Sequence, residues 1–232
     1  MLDELKTAVC RANRALYDAG LIVQTFGNVS GVDRDGGHVV IKPSGVAYDA
    51  MTPEQMVVVS LDRGEVVEGT LSPSSDTPAH LELYRAFTAV GSVVHTHSMH
   101  ATAWAQARRE IPVLGTTHAD TFYGPVPCTR AMTAQEIRAD YEANTGKVIV
   151  ERFKDLDPMH LPGVLVAGHG PFAWGADPAG AVRNGVILEY LALLAARTLA
   201  IDPYARAISK DLLDKHFLRK HGPEAYYGQD MT

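Results

Sequence analysis

Apolar residues along this chain fall into long helical stripes separated by short runs of strand character, and a helical stripe comes first. Leu2, Leu5, Val9, Ala12 and Leu16 recur at helical spacing and Gly20 follows as a stop, which predicts an amphipathic N-terminal helix. Residues 25–30, Thr-Phe-Gly-Asn-Val-Ser, read as a tight polar turn. After Gly36-Gly37 comes a strand over 38–42 that ends in Pro43-Ser44-Gly45. Thr52-Pro53-Glu54-Gln55 has the form of a capping box around a single helical turn. The apolar runs 56–61 and 65–69, joined by Asp62-Arg63-Gly64, predict a β-hairpin.

Thr77-Pro78 opens a second helix, with Leu81, Leu83, Tyr84 and Phe87 along it. Val93 to His100 begins as a buried strand, and a helix is expected from Ser98 through Ala107. Residues 111–130, rich in proline, glycine and threonine, predict irregular backbone with short strands. A second capping box, Thr133-Ala134-Gln135-Glu136, opens a helix that passes Tyr141 and stops near Gly146. Strands are expected at 147–153 and 163–167, a long alanine-rich helix from Asp177-Pro178 to about Ala200, and a last helix from Pro203 to about Leu218. With no repeat and no composition break, the pattern predicts one α/β domain over 1–232, a mixed sheet between helical layers.

Composition narrows the function classes. Of 232 residues 46% are hydrophobic and the net charge is −6, without a long basic run, so nucleic acid is not an expected partner. Cys10 and Cys128 stand far apart and in no metal or redox pattern, which fits a reducing cytoplasm. The N-terminus lacks a signal peptide's apolar core, and no uninterrupted apolar run has the length of a membrane span. A soluble, cytoplasmic protein is expected.

His95-Thr96-His97 is the first chemical signal. Alternate residues of a strand share a face, so two imidazoles would sit side by side at the end of a buried strand, suited to gripping a metal. Two polar residues closing a strand would look the same, so further ligands must decide. His169, between Gly168 and Gly170 after another strand candidate, offers a third imidazole. Asp76 offers a carboxylate, although an aspartate at a helix start is ordinarily a cap. Three imidazoles and a carboxylate favour zinc, with manganese or cobalt as the other divalent options. Gly27-Asn28, Ser44-Gly45 and Ser74-Ser75 are three small turns whose backbone N–H groups suit a phosphate, and no nucleotide-binding fingerprint accompanies them.

Together, Gly27-Asn28-Val29-Ser30, Lys42-Pro43-Ser44-Gly45, Ser74-Ser75-Asp76-Thr77, His95-Thr96-His97 and His169-Gly170 resemble the class II aldolase/epimerase superfamily. Further matching stretches are 66–70, 115–120, 127–130 and 212–216, so the resemblance covers nearly the whole chain. It implies a three-layer α/β/α fold around a mostly antiparallel sheet. It also implies that Asp76, His95, His97 and His169 hold one divalent metal, and that the loops at Gly27-Asn28, Ser44-Gly45 and Ser74-Ser75 cradle a sugar phosphate. Asp120 and Tyr227 match the family's acid/base pair, Tyr227 entering from a neighbouring subunit of a C4 tetramer. Lys42, Thr116, Glu142 and His216 match residues lining the site. The family's sugar-phosphate aldolases carry glutamate as a base where this chain has Asp76, which favours the epimerase branch. One departure, Ala167-Gly168 in place of a histidine-containing pair, spares the ligand position.

The reaction so implied interconverts L-ribulose 5-phosphate and D-xylulose 5-phosphate. C4 of a 2-ketopentose is not adjacent to the carbonyl, so deprotonation cannot invert it. Retro-aldol cleavage of C3–C4, rotation of glycolaldehyde phosphate and re-addition to the metal-stabilised enediolate can. A metal-dependent hydrolase or a non-catalytic phosphosugar-binding protein would share the same ligand types.

Overall fold

The computed structural model describes residues 2–222 together with 225 and 226. Seven strands form one sheet: β1 (Gly27–Asp33), β2 (His38–Ile41), β3 (Val57–Ser60), β4 (Val66–Glu68), β5 (Ser92–Thr96), β6 (Gly163–Leu165) and β7 (Pro171–Gly175). Their order is β4-β3-β2-β1-β5-β7-β6, and each neighbouring pair is antiparallel. The sheet expected to be mixed is therefore antiparallel along its whole width, and among the described residues its one parallel feature is an isolated bridge between Cys128 and Leu165.

Eight helices surround it: α1 (Leu2–Asp18), α2 (Thr77–Ala86), α3 (Met99–Gln106), α4 (Thr116–Ala119), α5 (Ala134–Ala139), α6 (Tyr141–Arg152), α7 (Pro178–Ile201) and α8 (Lys210–His221). Helices α1 and α7 cover one face, where Gly31 of β1 lies against Leu5 and Val9, and Gly185 of α7 lies against Val94. Asn13 of α1, fully buried, ties down β1 by bonding both the N–H and the carbonyl of Val29. Helices α2 and α6 cover the other face. There Ser30 reaches His80 and Tyr84, each at 2.7 Å, and Phe87, Phe153 and Trp174 pack together. This is the expected three-layer arrangement, and it brings β1 and β5 side by side in its centre.

Several local readings change. Residues 25–30 are not only a turn: β1 starts at Gly27, and Asn28 and Ser30 are buried, with Asn28 bonding the half-buried Asp76 and Ser30 the buried His80. Residues 147–153 are not a strand. They complete α6, which runs through Gly146 because a Cβ there would lie 2.6 Å from Glu82 Cβ and 2.8 Å from the Ala79 carbonyl. Gly146 lets α2 approach; the break expected there falls at Asp140 instead, whose side chain accepts from Ala143 N and starts a new helix. The last helix begins at Lys210, capped by Ser209, and not at Pro203. Strand β7 had no counterpart in the sequence reading. Helix α7 is long and apolar enough to span a membrane by length and composition, and it packs here on β5, β7, α1 and α3.

Candidate metal centre and active site

The site grows from the end of β5. His95, 1% exposed, pairs across the sheet with Asn28 on one side and Phe172 on the other, and its ring stacks on Phe172 at 4.3 Å. Its Nδ1 donates to the Pro171 carbonyl at 3.0 Å, which leaves a lone pair on Nε2. His97 lies just past the strand and is exposed, yet its Nε2 comes within 3.1 Å of His95 Nε2. His169 closes the group with ring centroids 4.7 and 5.1 Å from those two. Gly168, at φ 75°, makes the turn, and Gly170 seats the loop where a Cβ would fall 2.8 Å from the Thr96 carbonyl. One nitrogen from each of the three rings lies within 4.8 Å of the others. Burial pushes all three imidazoles toward the neutral form, His169 to about 3. Neutral rings that each bring one nitrogen to a common point have the chemistry to hold a cation.

Asp76 precedes α2 but its carboxylate does not cap that helix. Asn28 Nδ2 donates to Asp76 Oδ2 at 2.7 Å and to Ser74 Oγ at 3.0 Å, so the carboxylate is turned into the cavity that His95 and His97 line. It lies outside the tight imidazole group. Burial raises its pKa, but His95, His80 and the Asn28 amide outweigh that and hold it below the ordinary carboxylate range. Asn28 Oδ1 is buried with no partner among the described residues, an acceptor left open. A nitrogen-rich set with a carboxylate beside it fits a borderline divalent cation.

The adjoining cavity, about 290 Å³, is built from the three small turns, Gly27-Asn28, Ser44-Gly45 and Ser74-Ser75, with Lys42 among its walls. Ser44 N bonds the Ser72 carbonyl and Ser74 N the Lys42 carbonyl, each at 2.9 Å, so two of the turns are locked together. Lys42 is 2% exposed, donates to the Pro43 carbonyl at 3.0 Å and lies 4.8 Å from the Tyr48 ring. Burial lowers its pKa to about 8. A cation and backbone N–H groups beside a carboxylate-held amide suit a phosphorylated polyol.

Two of the other expected residues, Asp120 and His216, meet in a second cluster. Asp120, at the end of α4, accepts from His216 Nδ1 and Arg219 Nη2, each at 3.0 Å, and meets Lys220 Nζ at 3.1 Å. Burial alone would raise the Asp120 pKa, and the bonds from His216, Lys220 and Arg219 lower it. Phe217, buried against Tyr123, seats α8 over this carboxylate. Thr116 lies one turn before Asp120, its carbonyl accepting from Asp120 N at 3.0 Å. Glu142 sits in the first turn of α6. None of Thr116, Asp120, Glu142 and His216 lines the metal-side cavity. Tyr227 lies outside the described residues. Tyr141 was not anticipated: its hydroxyl is 3.3 Å from His169 Nδ1. Phe26, half exposed, was not either, and its ring lies 5.9 Å from that of His97 at the cavity mouth. Neither carries a sequence signal that separates it from an ordinary surface or packing aromatic.

Residues 7–196 match the class II aldolase and adducin N-terminal domain, and the chain belongs to that family. Among individual proteins, it is 54% identical over 228 residues to L-ribulose-5-phosphate 4-epimerase UlaF of Salmonella paratyphi B (strain ATCC BAA-1250 / SPB7), covering 98% of this chain and 100% of that one. Its fold is similar to that of an L-fuculose 1-phosphate aldolase, with a TM-score of 0.77 at 23% identity over 92% of this chain and 94% of the other. YgbL of Klebsiella pneumoniae, a putative aldolase/epimerase/decarboxylase, superposes with a TM-score of 0.72 at 24% identity over 93% and 98%.

Proposed function

We propose that this chain is a metal-dependent L-ribulose-5-phosphate 4-epimerase that exchanges L-ribulose 5-phosphate and D-xylulose 5-phosphate by breaking and remaking the C3–C4 bond. The carrying observation is the union of three converging neutral imidazoles with a cavity of backbone turns, Lys42 and an unpartnered Asn28 acceptor. The 54% identity to a named epimerase supports the substrate. His95, His97 and His169, with Asp76, would hold the cation, zinc by donor type. Bound there, a divalent cation would stabilise the negative charge that develops on the C2 and C3 oxygens as the bond breaks.

The chain's own groups do the rest. The turns at Ser44-Gly45 and Ser74-Ser75 anchor the phosphate so that the C4–C5 fragment turns without leaving. Asn28 Oδ1 accepts from a substrate hydroxyl. Asp120, kept ionised by His216, Arg219 and Lys220, accepts the C4 hydroxyl proton on one face. Tyr227, a phenol with an ordinary pKa of about 10, donates on the other. Asp120 and its partners do not line the metal-side cavity of their own chain, which supports a homotetramer whose neighbouring subunit supplies this half. Incubation with L-ribulose 5-phosphate should yield D-xylulose 5-phosphate, activity vanishing on chelation and returning with zinc. His97→Asn should lose both metal and turnover. Undiminished conversion by chelated protein, or full metal content in that variant, would discard the metal reading.

A further inference from the structure

The second nitrogen of a metal-bound imidazole is normally tied to an acceptor, which fixes the tautomer and aims the ligand lone pair. His95 has such a tie in the Pro171 carbonyl, 3.0 Å from Nδ1. For His169 the group at Nδ1 is the hydroxyl of Tyr141, 3.3 Å away, with the two rings 5.9 Å apart. Tyr141 is itself firmly placed. It is the first residue of α6, which Asp140 caps, and its carbonyl accepts from Thr145 Oγ1 at 2.9 Å.

We infer that Tyr141 is a positioning residue for the metal: its phenol oxygen accepts the Nδ1–H of His169 and so presents the Nε2 lone pair to His95 and His97. The opposite polarity, with the phenol donating to Nδ1, would put the proton on Nε2 and remove His169 from the ligand set. A site on the first turn of α6 thus joins helix packing to metal affinity. The inference rests on the metal reading above and is separable from it.

The test is zinc affinity, measured by competition with a chromophoric chelator, for the parent chain, Tyr141→Phe and His97→Asn. Phenylalanine keeps the ring and removes only the acceptor. Tyr141→Phe should bind zinc about 10- to 100-fold more weakly, while its metal-free melting point stays with the parent's. Equal affinity would overturn the role of Tyr141 and leave the metal site standing. A parent chain that binds no zinc would overturn both. Should Tyr141→Phe fail to fold, nitrogen-15 spectra of histidine-labelled, zinc-loaded parent protein decide: a protonated Nδ1 with zinc on Nε2 of His169 supports the inference, and the reverse tautomer refutes it.

Discussion

At the scale of single residues, buried histidines outside the metal centre set how this protein meets acid. His118 is 4% exposed and its Nε2–H donates to the Gly124 carbonyl at 2.8 Å. Burial lowers its pKa to about 4. The unfolded chain takes up that proton near pH 6.5 and the folded chain only near 4, so the stability is complete above 6.5 and is lost as pH falls through that window. At pH 5 the loss is about 2 kcal/mol. His118→Gln keeps a donor for Gly124 and removes the titration. Denaturant unfolding at pH 7 and pH 5 should therefore show a smaller drop in the variant, by about 2 kcal/mol; an identical drop would show that His118 does not titrate this way. The grouping of His95, His97 and His169 was legible in the sequence because a two-residue spacing on a strand puts one pair side by side and glycines flank the third. Asp76 was legible only as a cap or a ligand, and it is the Asn28 bond that turns it away from the helix. Tyr141 and Arg219 were not legible, since what each touches depends on where α6 and α8 pack.

At the scale of elements, the misreading of 147–153 shows which signal won. Val148, Ile149 and Val150 have strand character locally, but Ala143, Gly146 and Ile149 recur at helical spacing and are buried, Gly146 directly against α2. Gly146 looked like a stop because glycine weakens a helix by about 1 kcal/mol relative to alanine. At this crossing the preference reverses. An alanine Cβ would sit 2.8 Å from the Ala79 carbonyl and 2.6 Å from Glu82 Cβ, and the carbonyl cannot swing aside as a flexible side chain would. Overpacking of that kind costs about 1–3 kcal/mol, more than the helix gains. Gly146→Ala should lower unfolding free energy and shift Tyr141 with α6, so zinc affinity falls alongside. A variant as stable as the parent would mean that the two helices have room to part. The hairpin β3–β4 and the helices α1 and α7 needed no such correction, because their signals are local: a tight turn, a regular stripe, a proline after an aspartate cap.

At the scale of the whole molecule, the chain carries two polar clusters on different elements, which the proposed function treats as half-sites. One is the imidazole group with its turns, held by β1, β5 and the loops that precede α2 and follow β6. The other is the Asp120 cluster, held by α4 and α8. Neighbouring subunits of a closed ring would each complete the other's site, since a head-to-tail interface sets one patch of a chain against a different patch of the next. Two dead variants then rescue one another. His97→Asn removes the metal half and Asp120→Asn the proton-transfer half, each leaving below about 1% of the parent's turnover, the usual worth of an acid/base group or more. In tetramers formed by co-expressing both variants in equal amounts, a site is intact when its metal half comes from an Asp120→Asn chain and its other half from a His97→Asn chain. Each condition holds half the time, so about one site in four is whole. The mixture should recover about a quarter of the parent's activity, far above either variant alone. Were both halves drawn from a single chain, every site would carry a lesion and the mixture would stay as inactive as its components. Activity of the co-expressed species, purified by a different tag on each variant, distinguishes the two arrangements without any assumption about which proton Asp120 moves.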